Sequence, residues 1–127
     1  MAPIERTDPA ILVVEDDFLI RMAVGDALRD RGFAVVEASD AQEAVEILEQ
    51  GPGVSVVFTD VRMPGAMDGF ALAGWIAERY PAICTILTSG EIGSAQAPAD
   101  FDWAGRFIRK PYRLHEVAER LQALVAG

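Results

Sequence analysis

The chain reads as a doubly wound α/β domain, with five parallel strands in the order 2-1-3-4-5 and helices on both faces. Two observations predict it. Short runs rich in Val, Ile and Phe alternate with stretches whose apolar residues recur at helical spacing. The short runs are mostly apolar throughout, as strands covered on both faces must be.

The strands are expected at Ala10–Val14, Ala34–Ala38, 54–59, 83–88 and 105–108. Asp17 caps a first helix carrying Ile20, Val24, Ala27 and Leu28, and Gly32 stops it. Asp40, with Glu43 three residues on, has the form of a capping box. It opens a second helix with the stripe Ala41, Ala44, Val45 and Leu48, ended by Gly51. Asp68 caps a third helix carrying Leu72 and Ile76; Trp75 lies off that stripe and is expected to be exposed. Residues 90–103 should hold the next helix, but Gly93 and Pro98 interrupt them and no apolar stripe runs through. Proline inside a helix costs about 3 kcal/mol, so this fourth helix is expected to be short or disordered. The last helix is clearest: Leu114, Val117, Ala118, Leu121, Leu124 and Val125 follow the i, i+3, i+4, i+7 rule. Crossovers of this alternating kind give a parallel sheet of the flavodoxin-like type.

With 127 residues, the chain is expected to be one domain, 1–127, with residues 1–9 as an N-terminal extension. Half of it is apolar, at 51%, which excludes a disordered chain. No apolar run approaches the roughly 18 residues of a membrane span, and no secretory leader opens the sequence, so the cytoplasm is expected. The net charge of −9 argues against direct contact with nucleic acid or an anionic membrane. The single cysteine, Cys84, excludes an internal disulfide and reads as a buried strand residue.

The chemistry gathers at strand ends. Glu15 and Asp16 follow the first strand, Asp60 the third, and Lys110, joined to Pro111, the fifth. In an open parallel sheet these ends share one edge, where ligands bind. Crowded carboxylates call for a cation, and a hard divalent ion with oxygen ligands suits them. A lysine beside them can meet an incoming anion. Asp60 by itself can be a metal ligand, a cap or a covalent nucleophile. Asp17, third in the acidic run, reads as a helix cap rather than a ligand.

Five stretches then become specific: Val14-Glu15-Asp16-Asp17, Thr59-Asp60-Val61-Arg62-Met63-Pro64-Gly65, Met67-Asp68-Gly69, Thr88-Ser89-Gly90 and Lys110-Pro111-Tyr112. Together they resemble the response-regulator receiver domain of two-component signalling, from Ile11 onward. The resemblance implies that Asp60 is the phosphoacceptor, served by a histidine kinase or histidine phosphotransfer protein. It implies Mg2+, or Mn2+, held by Asp16 and Asp60, by Glu15 often through water, and by the backbone carbonyl of Arg62. Thr88 and Lys110 would bind phosphoryl oxygens, and Phe107 would be the switch aromatic. A Lys-Pro peptide at this place is typically cis in the family. A stand-alone receiver, monomeric or dimerising on phosphorylation, would act through protein contacts, because no DNA-binding segment follows Gly127.

Three departures stand out. The loop 65–69 is one residue longer than the common Met-Pro-x-Met-Asp-Gly form, the fourth helix is poorly encoded, and the switch aromatic lacks a hydroxyl. Arg62 and Gly90 occupy positions that border the path of attacking water in the family. Competing readings are weaker. A flavin binder would meet repulsion between phosphate and Glu15-Asp16-Asp17. A haloacid-dehalogenase-type phosphatase needs an acid where Arg62 stands. A degenerate receiver acting without phosphorylation conflicts with the intact acids, Thr88 and Lys110. Phe107 is otherwise plain core. His115, alone on the last helix, reads as neither metal ligand nor phosphodonor. Phe101 and Trp103 read as capping the core edge, with a partner anchor as the alternative.

Overall fold

The computed structural model describes residues 10–51, 53–90 and 97–126. Strands β1 (Ala10–Val14), β2 (Ala34–Ala38), β3 (Val54–Asp60), β4 (Cys84–Ser89) and β5 (Phe107–Arg109) alternate with α1 (Phe18–Arg29), α2 (Ala41–Glu49) and α3 (Gly69–Arg79). Helix α4 (Leu114–Ala126) follows β5. Every strand pairing is parallel and the order is β2-β1-β3-β4-β5, as the sequence predicts. Among the described residues no helix is long and apolar enough to cross a membrane.

Alternate strand residues feed two core layers, because successive side chains point to opposite faces. Ile11, Val13, Val56, Phe58 and Ile86 meet Val24 and Leu28 of α1 and Val117 and Leu121 of α4. Leu12, Val14 and Val57 meet Ala44 and Leu48 of α2 and Leu72 and Ile76 of α3. Burying each large side chain contributes about 1.5–3 kcal/mol, which makes the strand interior the rigid part that carries the strand ends.

The helices start where their caps lie. Asp17 accepts from the Leu19 and Ile20 amides at 3.0 and 3.2 Å, Asp40 from Glu43 at 2.8 Å, and Asp68 from Ala71 at 2.8 Å. The box at α2 closes one residue earlier than expected: Glu43 reaches back to the Ser39 amide, at 2.7 Å, and to its hydroxyl.

Several sequence expectations shift. β4 and β5 lie one to two residues later than 83–88 and 105–108, and Asp60 is the last residue of β3 rather than the first beyond it. Cys84, at the start of β4, is half-buried. Trp75 is also half-buried rather than exposed, because its ring packs beside Tyr80 at 5.7 Å and under the Arg79 guanidinium at 5.1 Å. On α4 the buried stripe narrows to Val117, Ala118 and Leu121, leaving Leu114 and Leu124 exposed. Between β4 and β5 the described residues 97–106 form bends and turns without a helix; residues 91–96, like the extension at 1–9, lie outside the described residues. Phe101 and Trp103 cover the core edge: Phe101 meets Phe70 at 5.2 Å, and Trp103 meets Phe107 at 4.9 Å.

Candidate functional site

Register assembles the site. Val14 lies opposite Thr59, and Asp60 lies opposite Thr88, so one sheet edge carries the ends of β1, β3 and β4 side by side. The Val61 amide continues the ladder to the Thr88 carbonyl at 2.9 Å, and the Lys110 amide does so to the Ser89 carbonyl at 3.0 Å. Lys110 is thereby drawn to the same edge. Its bond to Pro111 is cis.

Glu15 and Asp60 are buried at 4% and 7% exposure, while Asp16 is exposed. The carboxylates of all three offer oxygens within 4.8 Å of one another. The Lys110 ammonium donates to both buried acids, to Asp60 Oδ2 at 3.0 Å and to Glu15 Oε1 at 3.2 Å. One cation between three carboxylates leaves an excess of negative charge in a poorly hydrated place. Burial pushes the Glu15 carboxyl above its ordinary value and the Asp60 charge adds to the rise, against the opposing Asp17 amide and Lys110. Burial pulls the Lys110 ammonium down, but the hydrogen bond and charge of Asp60, with Glu15, outweigh it and leave the lysine raised.

The donor set fits a hard divalent cation, since it consists of carboxylate oxygens on a rigid edge and a divalent ion would offset the excess charge. Beside it, the Thr88 hydroxyl is buried with no hydrogen-bond partner among the described residues. An unpartnered buried hydroxyl costs about 1–3 kcal/mol, so its place next to Asp60 suits an oxygen arriving from outside.

Glu15, Asp16, Asp60, Thr88 and Lys110 are thus brought to one edge. Arg62 lies on the loop after β3 with an exposed side chain. Phe107 opens β5 opposite Leu87, 8% exposed, with its ring on Trp103. That is the packing expected of a core residue.

Sequence reading assigns no role to two residues that shape the site. Gly69 starts α3 so close to β3 that an added Cβ would stand 2.4 Å from the Asp60 carbonyl oxygen and 2.8 Å from Val61 Cα. The signal was available: glycine inside a helix is unfavourable, so one placed there marks a close approach. The other is Arg21, whose guanidinium donates to the Glu15 carbonyl at 2.7 Å. A cation near a helix N-terminus opposes the helix dipole, a hint that something else holds it.

Tyr112 packs edge-on against Phe58 at 5.9 Å, and burial pushes its phenol from 10.0 up to about 12. The unfolded chain therefore loses this proton first, and stability falls as pH rises between those two values. Lys110, raised above 10.5, stabilises fully below that value and loses its contribution as pH climbs through its raised one. Both act in the alkaline range. Tyr112→Phe is expected to remove part of the stability loss between pH 10.0 and about pH 12, read as urea midpoints. An unchanged loss in the variant would mean that the phenol does not contribute.

The sequence profile described as the response regulator receiver domain matches residues 11–122. Sensor kinase CckA of Brucella abortus is 37% identical over 119 residues, covering 91% of this chain and 12% of that protein. Transcriptional regulatory protein PdtaR of Mycobacterium tuberculosis is 32% identical over 117 residues, covering 91% of this chain and 56% of that one. The chain thus spans a small part of the first relative and about half of the second. Among solved structures, the receiver domain of the hybrid histidine kinase CckA superposes with a TM-score of 0.74 at 28% identity, covering 91% of this chain and 98% of the other.

Proposed function

This chain belongs to the response regulator receiver domain family, and from that premise we propose that Asp60 is the phosphoacceptor of a two-component phosphorelay, phosphorylated with Mg2+ (or Mn2+) by a histidine kinase or histidine phosphotransfer protein. The observation that carries the reading is the contact of Lys110 with Asp60 at 3.0 Å, beside a Thr88 hydroxyl that lacks a partner among the described residues.

In the transfer, an Asp60 oxygen forms a P–O bond while the donor's P–N bond breaks, and the electron pair leaves on the imidazole nitrogen. Phosphoryl transfer depends mostly on positioning and charge neutralisation. Asp16, Asp60, Glu15 and the Arg62 carbonyl would hold the metal, which would supply charge neutralisation for the phosphoryl oxygens. Lys110 leaves the Asp60 carboxylate for a phosphoryl oxygen, and the Thr88 hydroxyl donates to another. Phe107 reads out the threonine's movement and changes the contacts of the β4–β5 side with a partner.

The donor docks on the exposed apolar side of α1 next to the acids. Phe18 and Leu19 are 57% and 69% exposed there, and Met22 of α1 and Leu114 of α4 are exposed too. As proposed, residues 1–127 are a single receiver domain, cytoplasmic, monomeric or dimerising on phosphorylation, with catalysis limited to self-phosphorylation from small donors and self-dephosphorylation. The sensing and regulatory roles in the relatives' names belong to those longer proteins.

The test is the intact mass after incubation with Mg2+ and acetyl phosphate. One added phosphoryl group supports the reading. No adduct, together with no binding of beryllofluoride, would sink it, since a competent site binds that phosphoryl mimic even when the phosphorylated form is short-lived.

A further inference from the structure

Asp16 differs from the two acids beside it. Lys110 holds Glu15 and Asp60, whereas the exposed Asp16 side chain makes no hydrogen bond or ion pair among the described residues. Yet its carboxylate lies within 4.8 Å of theirs. Its aim must therefore come from the backbone. The peptide plane that joins Glu15 to Asp16 carries the Glu15 carbonyl, and that carbonyl accepts from Arg21 Nη1 at 2.7 Å.

Arg21 is itself held on several sides. Its Nε donates to Glu37 Oε1 on β2 at 3.3 Å, its side chain is only 15% exposed, and its guanidinium lies 5.4 Å from the Phe18 ring centre. Arg29 takes the other Glu37 oxygen at 2.8 Å. Gly25 leaves the room this needs, because a Cβ there would stand 2.9 Å from Glu37 Oε2. A planar fork gripped in this way fixes direction better than a lysine could.

We propose that Arg21 is a positioning residue: by clamping the Glu15 carbonyl it aims the Asp16 carboxylate at the cation site. The inference rests on the metal reading above. Groups that orient a ligand commonly change metal affinity by about 10–100-fold when removed. The sign of the effect is diagnostic. Deleting a positive charge beside an acidic cluster should, by Coulomb's law alone, tighten cation binding. Loss of aim should weaken it.

The experiment is calorimetric titration with Mg2+ alone, without phosphodonor, on wild type, Arg21→Met, Arg21→Lys and Arg29→Met. Arg29→Met deletes the same charge and loosens the same α1–β2 tie through Glu37, but it does not touch Glu15. Arg21→Met is expected to bind Mg2+ about tenfold more weakly, Arg21→Lys also more weakly, and Arg29→Met as wild type or slightly tighter. Acetyl phosphate labelling of Arg21→Met should recover at saturating Mg2+. Equal or tighter binding by Arg21→Met, or equal weakening by Arg29→Met, overturns the inference. If Arg21→Met does not fold, Arg21→Lys at wild-type affinity overturns it alone. Wild type that binds no Mg2+ would sink the metal reading and this inference with it, whereas Mg2+ binding that ignores Arg21 would leave the metal reading standing.

Discussion

Asp60→Asn is expected to take up no phosphoryl group from acetyl phosphate and Mg2+, while folding as the wild type does. Asparagine keeps the shape and an oxygen that can accept from Lys110, but its amide is too weak a nucleophile to attack phosphorus. Lys110 also retains Glu15 at 3.2 Å, so the ammonium keeps an anionic partner. Losing the ion pair with Lys110 is unfavourable and relief of the repulsion from Glu15 offsets part of it, so the stability change is expected to be about 0.5–3 kcal/mol. The Glu15 carboxyl should move down toward its ordinary value, because the Asp60 charge no longer raises it, while burial still holds it high. Intact mass reads the first outcome and urea denaturation the second. Wild-type incorporation by the variant would show that another side chain is the acceptor.

Gly69→Ala should disturb both the fold and the site. Its Cβ would face the Asp60 carbonyl oxygen at 2.4 Å, Val61 Cα at 2.8 Å and the Asp60 carbonyl carbon at 3.1 Å. All three are backbone atoms, so no rotamer change relieves the contact. The start of α3 has to withdraw from β3, loosening the bond from the Gly69 amide to the Val61 carbonyl, now 2.8 Å. Overpacking of this kind costs about 1–3 kcal/mol, a large share of the stability of a small domain. Because the clash falls on the backbone of Asp60 and Val61, acetyl phosphate labelling should slow as well. Gly74 is the control on the same helix: nothing lies within 4 Å of a Cβ there, and Gly74→Ala should stabilise by up to about 1 kcal/mol. Equal urea midpoints for the two variants would contradict this account of Gly69.

Much of the fold was legible because its signals are local. The apolar runs at Ile11–Val14 and Val56–Phe58 are nearly continuous because both faces of those strands are covered. Asp17, Asp40 and Asp68 cap helices within three residues of themselves. The strand-end acids and Lys110 could be placed on one edge because parallel strands share it. Where local signals compete, reading failed. Trp75 lies off the apolar stripe of α3, yet contacts with Tyr80 and Arg79 half-bury it. Residues 97–106 have no periodicity, and their order comes from rings packing on Phe70 and Phe107.

Strand and helix order, the helix starts and the residues that reach the strand ends follow from side-chain period, caps and chain direction, all of which lie in the chain's own order of residues. Packing alone makes Lys110 bridge Glu15 and Asp60, leaves the Thr88 hydroxyl unpartnered among the described residues, sets Gly69 against the backbone of Asp60 and has Arg21 grip the Glu15 carbonyl. Lys110 and Gly69 meet their neighbours across different elements at separations of a few ångströms or less. Such distances depend on how layers pack and strands register, which no window of neighbouring residues encodes.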